Sequence, residues 1–198
     1  MDRIDFDEVI HKPFDGETID YGIIKGNSTV VFIKAGQDGS MLGYDNKYLK
    51  IAYNLHKKYG VTAICSSNPF RQQNPLDQAI EVIESYVSKP YQIYYMGQSC
   101  GALIGASLGH QYPQIRRMLL INGPLMINWH RTKAGATDFK GEKIVFVYGE
   151  QDPSYKYVPM LDLIDNPAKS VVVIPRANHN FVGMLEEFQK LPEKYLIE

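Results

Sequence analysis

Cysteine is scarce in this sequence: only two of its 198 residues are cysteines, Cys65 and Cys100. Both stand among apolar residues, so we expect no disulfide framework. Neither sign of charge is in excess either, because 21 Lys and Arg residues are balanced by 22 Asp and Glu residues, for a formal net charge of −1. A nucleic-acid-binding domain needs a basic face, and this composition gives that class no support.

Long apolar runs are also missing. No window approaches the ~18 consecutive apolar residues of a transmembrane helix, so we expect no membrane span. The first residues, from Met1 to Asp5, are charged and lack the apolar run of a signal peptide, which makes the cytoplasm the expected compartment. The histidines are scattered and the cysteines unpaired, so we expect neither a metal site nor a cofactor.

What the sequence does contain, from residue 29 onward, is an alternation of strand and helix patterns. The predicted strands are 29–33, 61–65, 91–96, 115–121, 143–148 and 170–174, and the predicted helices are 46–59, 76–87, 99–112, 159–164 and 181–195. Alternation of this kind implies right-handed crossovers and a mostly parallel sheet with helices on both faces. The sequence therefore predicts an α/β protein.

The two ends of this pattern complete the predicted organisation. Residues 18–25 and 29–33, joined by the turn Gly26-Asn27-Ser28, predict an N-terminal β-hairpin. Residues 125–142 are predicted to be irregular. Because the chain shows no repeat, linker or low-complexity tract, we expect one domain spanning residues 1–198.

The stretch from Tyr94 to Ala102 carries the most informative motif. It reads YYMGQSCGA, with Gly-x-Ser-x-Gly at the point where a buried strand runs into a helix of small residues. A turn this sharp strains the backbone of its central residue, and a Cβ atom at Gly97 or Gly101 would strike the neighbouring strand or helix. The turn lifts the Ser99 hydroxyl out of the packing, at a helix N-terminus that favours developing negative charge. The motif therefore predicts a nucleophile elbow.

A nucleophilic serine on such an elbow needs an acid and a histidine later in the chain, in that order. Asp152 lies on the loop after the strand that ends at Gly149, and we rank it first as the acid. Glu150 ranks second because it is only one residue past Gly149. Asp162 and Asp165 rank third, since they fall in or after the next helix.

His179 is the one histidine in the expected place, because it follows both Ser99 and the acid. Two others precede the elbow, one lies on the elbow helix and one precedes the acid strand (His11, His56, His110 and His130). His179 also stands between the last predicted strand and the last predicted helix, where a loop would carry it. We therefore predict that His179 is the base.

Ser99, the acid and His179, in this order, resemble the catalytic triad of the α/β-hydrolases, and the similarity covers nearly the whole chain. Residues 149–152 match the family's Gly-x-x-Asp stretch, whereas residues 177–179 depart mildly from its Gly-x-His loop. The resemblance implies an α/β-hydrolase-type fold. It also implies a serine hydrolase in which Ser99 attacks an acyl carbon, His179 moves the proton and Asp152 orients the imidazole.

The loop after the first central strand departs further from the family pattern. The family usually carries His-Gly there, and this chain has Ala-Gly-Gln-Asp-Gly-Ser at residues 35–40. By resemblance, the backbone N–H groups of Gln37 and Cys100 form the oxyanion hole, with Gly36 or Asp38 as alternatives to Gln37. A cysteine nucleophile at Cys100 is a rival hypothesis, but we expect that side chain to be a small core residue.

The substrate is predicted only as a class. The short interval between residues 121 and 143 leaves room for a flap at about 123–142 rather than for a large lid, and Met126 and Trp129 are candidate substrate-binding residues. An open cleft suits a small-molecule acyl substrate, namely a carboxylic ester or thioester.

Three other functions remain open from the residues. The same triad could serve an acyltransferase or an amide hydrolase, and a hydrolase-fold binding protein could keep the scaffold without activity. A nucleotide-binding Rossmann domain is excluded, because the glycines at 36 and 39 have the wrong spacing for its phosphate loop. The sequence leaves the oligomeric state open.

Overall fold

A computed structural model describes residues 4–69 and 73–198, which form one eight-stranded sheet. Its strands are β1 (Glu8–Phe14), β2 (Glu17–Ile24), β3 (Asn27–Lys34), β4 (Val61–Ser66), β5 (Gln92–Gln98), β6 (Ile115–Ile121), β7 (Lys143–Gly149) and β8 (Lys169–Ile174). They lie in the order β1-β2-β4-β3-β5-β6-β7-β8. The pairings of β1 with β2 and of β2 with β4 are antiparallel, and the others are parallel. The predicted α/β class and mostly parallel sheet are confirmed.

Helices cover both faces of the sheet, as predicted. They are α1 (Lys47–Tyr59), α2 (Pro75–Tyr86), α3 (Cys100–Leu108), α4 (Trp129–Asp138) and α5 (Leu185–Pro192). Helices α1 and α5 bury apolar side chains in the core on one face, and α2, α3 and α4 contribute to the core on the other. In the described parts of the chain, no helix combines the length and the apolar character that crossing a bilayer requires.

The N-terminal hairpin lies earlier in the chain than predicted. Strands β1 and β2 pair across the turn Asp15-Gly16, whose φ angles of 48° and 77° are both in the left-handed region that a tight hairpin turn uses. Residues 18–25 do not pair with 29–33, because β4 lies between β2 and β3 in the sheet. The predicted hairpin between residues 18–25 and 29–33 was therefore wrong. Strand β3 is a central strand, buried from Val30 to Lys34, with parallel neighbours on both sides.

The segment predicted to be irregular contains helix α4. Its buried residues are Thr132, Gly135 and Ala136, spaced by three and one along the helix. A Cβ atom on Gly135 would collide with the backbone of α3, so this face packs unusually close to that helix. Small residues carry little apolar signal, which is why the sequence pattern did not reveal the helix.

Two further boundaries differ from the prediction. The helix predicted at 159–164 is a 3₁₀ helix from Tyr155 to Leu163. The final helix begins at Leu185 rather than at 181, because Phe181 has a φ of 56°, which is incompatible with a right-handed helix.

Candidate active site

Ser99 forms the turn between β5 and α3. Its φ of 54° and ψ of −122° place a non-glycine residue in a region of the backbone map that is rarely occupied. The turn is held by the Ser99 N–H, which donates to the carbonyl of Ile121 on β6 over 2.8 Å. A Cβ atom at Gly97 would clash with the backbone of Gly101, and one at Gly101 would clash with the backbone of Lys34. Both glycines of the motif are therefore required by close backbone approach.

Asp152 and His179 form a hydrogen-bonded pair beyond the ends of β7 and β8. The Asp152 side chain is completely buried, and its Oδ2 contacts His179 Nδ1. Its other oxygen accepts from the Ser154 N–H over 2.7 Å. A carboxylate accepts but does not donate, so Nδ1 carries a proton, and in the neutral imidazole the lone pair is on Nε2. The pair can therefore present a base to a neighbouring group.

The other acids considered from the sequence lie elsewhere. Glu150 is exposed, and its carboxylate accepts from the backbone N–H of Arg176 over 3.0 Å. Asp162 and Asp165 are also exposed. Of these four acids, Asp152 is the one that contacts His179.

Two amide side chains anchor the loop that carries His179. Gln98 and Asn122 each donate through their side-chain nitrogen to the carbonyl oxygen of His179, both over 3.0 Å. Gln98 in turn accepts from the buried Tyr48 hydroxyl over 2.7 Å, and Asn122 accepts from the Gly149 N–H over 2.8 Å. Both amides are buried, so these partly buried hydrogen bonds connect the His179 loop to the ends of β5 and β6.

The loop after β3 lies directly beside the elbow. A Cβ atom on Gly36 would be 3.0 Å from Ser99 Cβ, which shows how closely the two segments approach. The Asp38 N–H already donates to the Asn68 carbonyl over 2.7 Å. Within the described residues, no backbone carbonyl accepts from the N–H of Gly36 or Gln37, and the Cys100 N–H is at the open start of α3. Gly36, Gln37 and Cys100 thus remain candidates for oxyanion donors, whereas the Asp38 N–H is already used.

Cys100 is buried beside Gln37. Burial raises the pKa of its thiol above the usual value, outweighing the contact with the Gln37 backbone that lowers it. A thiol with a raised pKa holds little thiolate at neutral pH and is a poor nucleophile.

Ser99 and His179 line the same open cleft, with a volume of about 520 Å³. The remaining walls come from the loop between β3 and α1, from the first turn of α1, and from Gln98 and Asn180. Neither Met126 nor Trp129 is among the lining residues, and Trp129 packs against the core on the other face of the sheet. Their role in substrate binding stays a prediction, as does the flap at 123–142.

The remaining histidines lie apart from this cleft. His11 pairs with Asp20 over 2.7 Å, and His56 contacts the Val61 carbonyl over 3.0 Å. Throughout residues 4–69 and 73–198, no three His, Cys, Asp or Glu side chains come together as metal ligands would.

Three residues at the site were not found from the sequence: Gln98, Asn122 and Lys47. Gln98 lies inside the Gly-x-Ser-x-Gly motif, and Asn122 directly follows β6, the strand adjacent to the elbow strand. The carboxyl ends of parallel strands meet at one edge of the sheet, so the position of Asn122 at such an end could have identified it as a site residue from the sequence. Lys47 is buried and lines the cleft, and nothing in the sequence pattern singled it out.

The comparisons with known proteins rest on structure alone. The sequence matches no protein-family model and no curated protein. Among solved structures, Est1E from Butyrivibrio proteoclasticus is similar with a TM-score of 0.74 at 13% identity, over 96% of this chain and 97% of that chain.

Two further solved structures are similar over nearly their full length. The α/β serine hydrolase homologue from Coxiella burnetii has a TM-score of 0.71 at 17% identity, with 96% of this chain and 97% of that one covered. XC6422 from Xanthomonas campestris, described as an α/β serine hydrolase without lid, has a TM-score of 0.67 at 16% identity, with 94% and 92% covered. The sheet order, the elbow and these neighbours agree: the chain has the α/β-hydrolase fold.

Proposed function

We propose that this protein is a serine hydrolase that cleaves a small carboxylic ester or thioester through an acyl-enzyme intermediate on Ser99. The observation that carries the proposal is the position of Ser99. Its strained turn borders the same cleft as His179, whose imidazole is oriented by a buried carboxylate. Strain of this kind is retained where the surrounding structure enforces it, and it is concentrated at functional sites.

The proposed reaction has two half-reactions. Ser99 Oγ attacks the acyl carbon while its proton moves to His179 Nε2, and the N–H groups of Gln37 and Cys100 stabilise the oxyanion. Collapse of the tetrahedral intermediate releases the alcohol or thiol, which takes the proton from His179. Water then attacks the acyl-serine with His179 as base, releasing the carboxylic acid and restoring Ser99.

Two observations support hydrolysis of a small substrate. The cleft is open to solvent, so water can reach an acyl group on Ser99. Several proteins that share the fold are named as an esterase domain, a serine hydrolase or a thioesterase domain. A fold alone does not fix a reaction, so the residues at the cleft carry more weight than these names.

The test is labelling with a fluorescent fluorophosphonate, which reacts with activated serines. Wild type should be labelled and Ser99→Ala should not. Ser85→Ala is the matched control, because it removes an exposed serine hydroxyl from α2, outside the cleft, and should be labelled like wild type. With 4-nitrophenyl butyrate, Ser99→Ala should lose on the order of 10⁶-fold in kcat, as in other serine hydrolases.

Two outcomes would contradict the proposal. A folded wild type that neither reacts with the probe nor cleaves esters or thioesters would indicate a hydrolase-fold binding protein. Labelling that persists in Ser99→Ala would mean that the reactive serine lies elsewhere.

A further inference from the structure

Lys47 is a buried cation in the wall of the cleft. It is the first residue of α1 and is only 2% exposed, yet it borders the same cleft as Ser99 and His179. Its ammonium lies over two aromatic rings, 4.2 Å from the centroid of Phe188 and 5.3 Å from that of Tyr48. The rings attract the ammonium by cation–π interaction, which does not occupy its N–H donors.

Among the residues that the structure describes, no anion neutralises this charge. Across the described residues, Lys47 has neither a carboxylate within ion-pair distance nor a hydrogen-bond acceptor. Two other lysines show what is missing. Lys50, one turn later on α1, pairs with Asp45 over 2.8 Å, and the buried Lys34 donates to two oxygen atoms. Burying a charge without a partner is costly, so a ligand that supplies the partner gains binding energy there.

The rest of the cleft is also suited to an anion. Of the described residues that line it, none is Asp or Glu, and Lys47 carries the one fixed charge. The first turn of α1 contains no acidic residue, and because the N–H groups of Lys47 and Tyr48 already donate to the carbonyls of Tyr44 and Leu42, the positive charge at this wall is that of the lysine. Burial lowers the pKa of Lys47 to about 8, which still leaves most of it protonated at pH 7.

We propose that Lys47 determines specificity by binding a carboxylate of the substrate, so that the enzyme prefers esters that carry a free carboxylate group. This inference rests on the proposed function, because Lys47 acts on a substrate that Ser99 cleaves. The carboxylate can belong to the acyl part or to the alcohol part of the ester, and two matched pairs of substrates distinguish these sources.

The experiment measures kcat/KM at pH 7 for each pair. The acyl pair is mono(4-nitrophenyl) adipate and 4-nitrophenyl hexanoate. The alcohol pair is 4-acetoxybenzoate and its methyl ester. In one pair, wild type should favour the charged member by about 10- to 100-fold, the range expected of a hydrogen bond to a charged group. Lys47→Met, of similar volume without charge, should lose that preference.

Three further variants make the test specific. Lys47→Arg should keep most of the preference because it keeps the charge. Lys50→Met removes a charge from the same helix outside the cleft and should leave the ratio within about twofold, since an exposed ion pair contributes little. Should Lys47→Met fail to fold, Lys47→Gln tests the same loss with a polar side chain.

The inference is overturned if wild type shows no preference for the charged ester in either pair. It is also overturned if the Lys47 variants lower the rates for both members by the same factor, because the side chain then only supports the cleft wall. Either result leaves the proposed function intact as long as the fluorophosphonate labels Ser99. If the fluorophosphonate does not label Ser99, the proposed function itself is contradicted, and the inference about Lys47 is contradicted with it.

Discussion

Two carboxylates follow β7 within two residues of each other, and their surroundings differ. Asp152 is buried against His179, whereas Glu150 is exposed and bonds to the backbone of Arg176. A buried carboxylate next to Nδ1 fixes the imidazole tautomer and stabilises the imidazolium that forms during the reaction. An exposed carboxylate on a backbone amide does neither.

This difference gives a prediction at the residue scale. Asp152→Asn should lower kcat for 4-nitrophenyl butyrate by about 10⁴-fold, because the amide favours the wrong imidazole tautomer. Glu150→Gln is the matched control, since it also removes one carboxylate from this loop, and its kcat should stay within about twofold. Steady-state kinetics on both variants provide the comparison. If Glu150→Gln were the more damaging change, the acid would have been misassigned.

At the scale of elements, the loop that carries His179 is positioned by the ends of two strands. Asn122, after β6, donates to the His179 carbonyl in the loop and accepts from the N–H of Gly149, the last residue of β7. Its φ of 50° is one that glycine adopts without strain, so Asn122→Gly removes the side-chain bonds and leaves the backbone path possible.

We predict that Asn122→Gly lowers kcat by about 10- to 100-fold, because a small displacement of His179 misaligns proton transfer. The control is Asn166→Ala, which removes another buried amide, one that bonds to Ala136 and Phe139. Both changes should lower the free energy of unfolding by about 1–3 kcal/mol. When both variants are assayed well below their unfolding temperatures, only Asn122→Gly should slow turnover and fluorophosphonate labelling. Equal kcat for the two variants would refute a positioning role.

The sequence was informative at this scale where structure is local. Strand β6 covers the residues predicted for it, 115–121, and the elbow lies where its contiguous motif predicted. The anchoring amides were missed because their bonds to His179 span 81 and 57 residues of sequence. The hairpin was misplaced because a strand pattern does not reveal which strand pairs with which, and β4 is inserted between β2 and β3.

At the scale of the whole molecule, a hydrophobic core lies on each face of the sheet, and one lysine of the sheet is buried. Lys34 ends β3, is 1% exposed, and donates to Ser66 Oγ and to the Ser67 carbonyl. Burial lowers its pKa from 10.5 to about 7. Between these two values the unfolded chain binds a proton that the folded chain does not, so folding becomes more favourable as the pH rises.

We predict that wild type gains about 1–2 kcal/mol of unfolding free energy relative to Lys34→Met between about pH 6.5 and pH 8.5. The comparison cancels the other titrating groups, because they are common to both proteins. Urea denaturation at several pH values measures the difference. Parallel pH profiles for the two proteins would show that Lys34 keeps its charge when buried.

The sequence order of the site has a consequence for how activity arises during synthesis. The serine turn and its helix are made before the acid loop, and the histidine loop and α5 come last. If Ser99 and His179 act as proposed, a chain released from the ribosome before residue 179 would contain the serine but no base to activate it. Contacts this distant in sequence also form late in folding, since they require long loops to close. Under the proposed function, hydrolytic activity should therefore appear abruptly once the segment that carries His179 has been made, rather than increase gradually as the sheet forms.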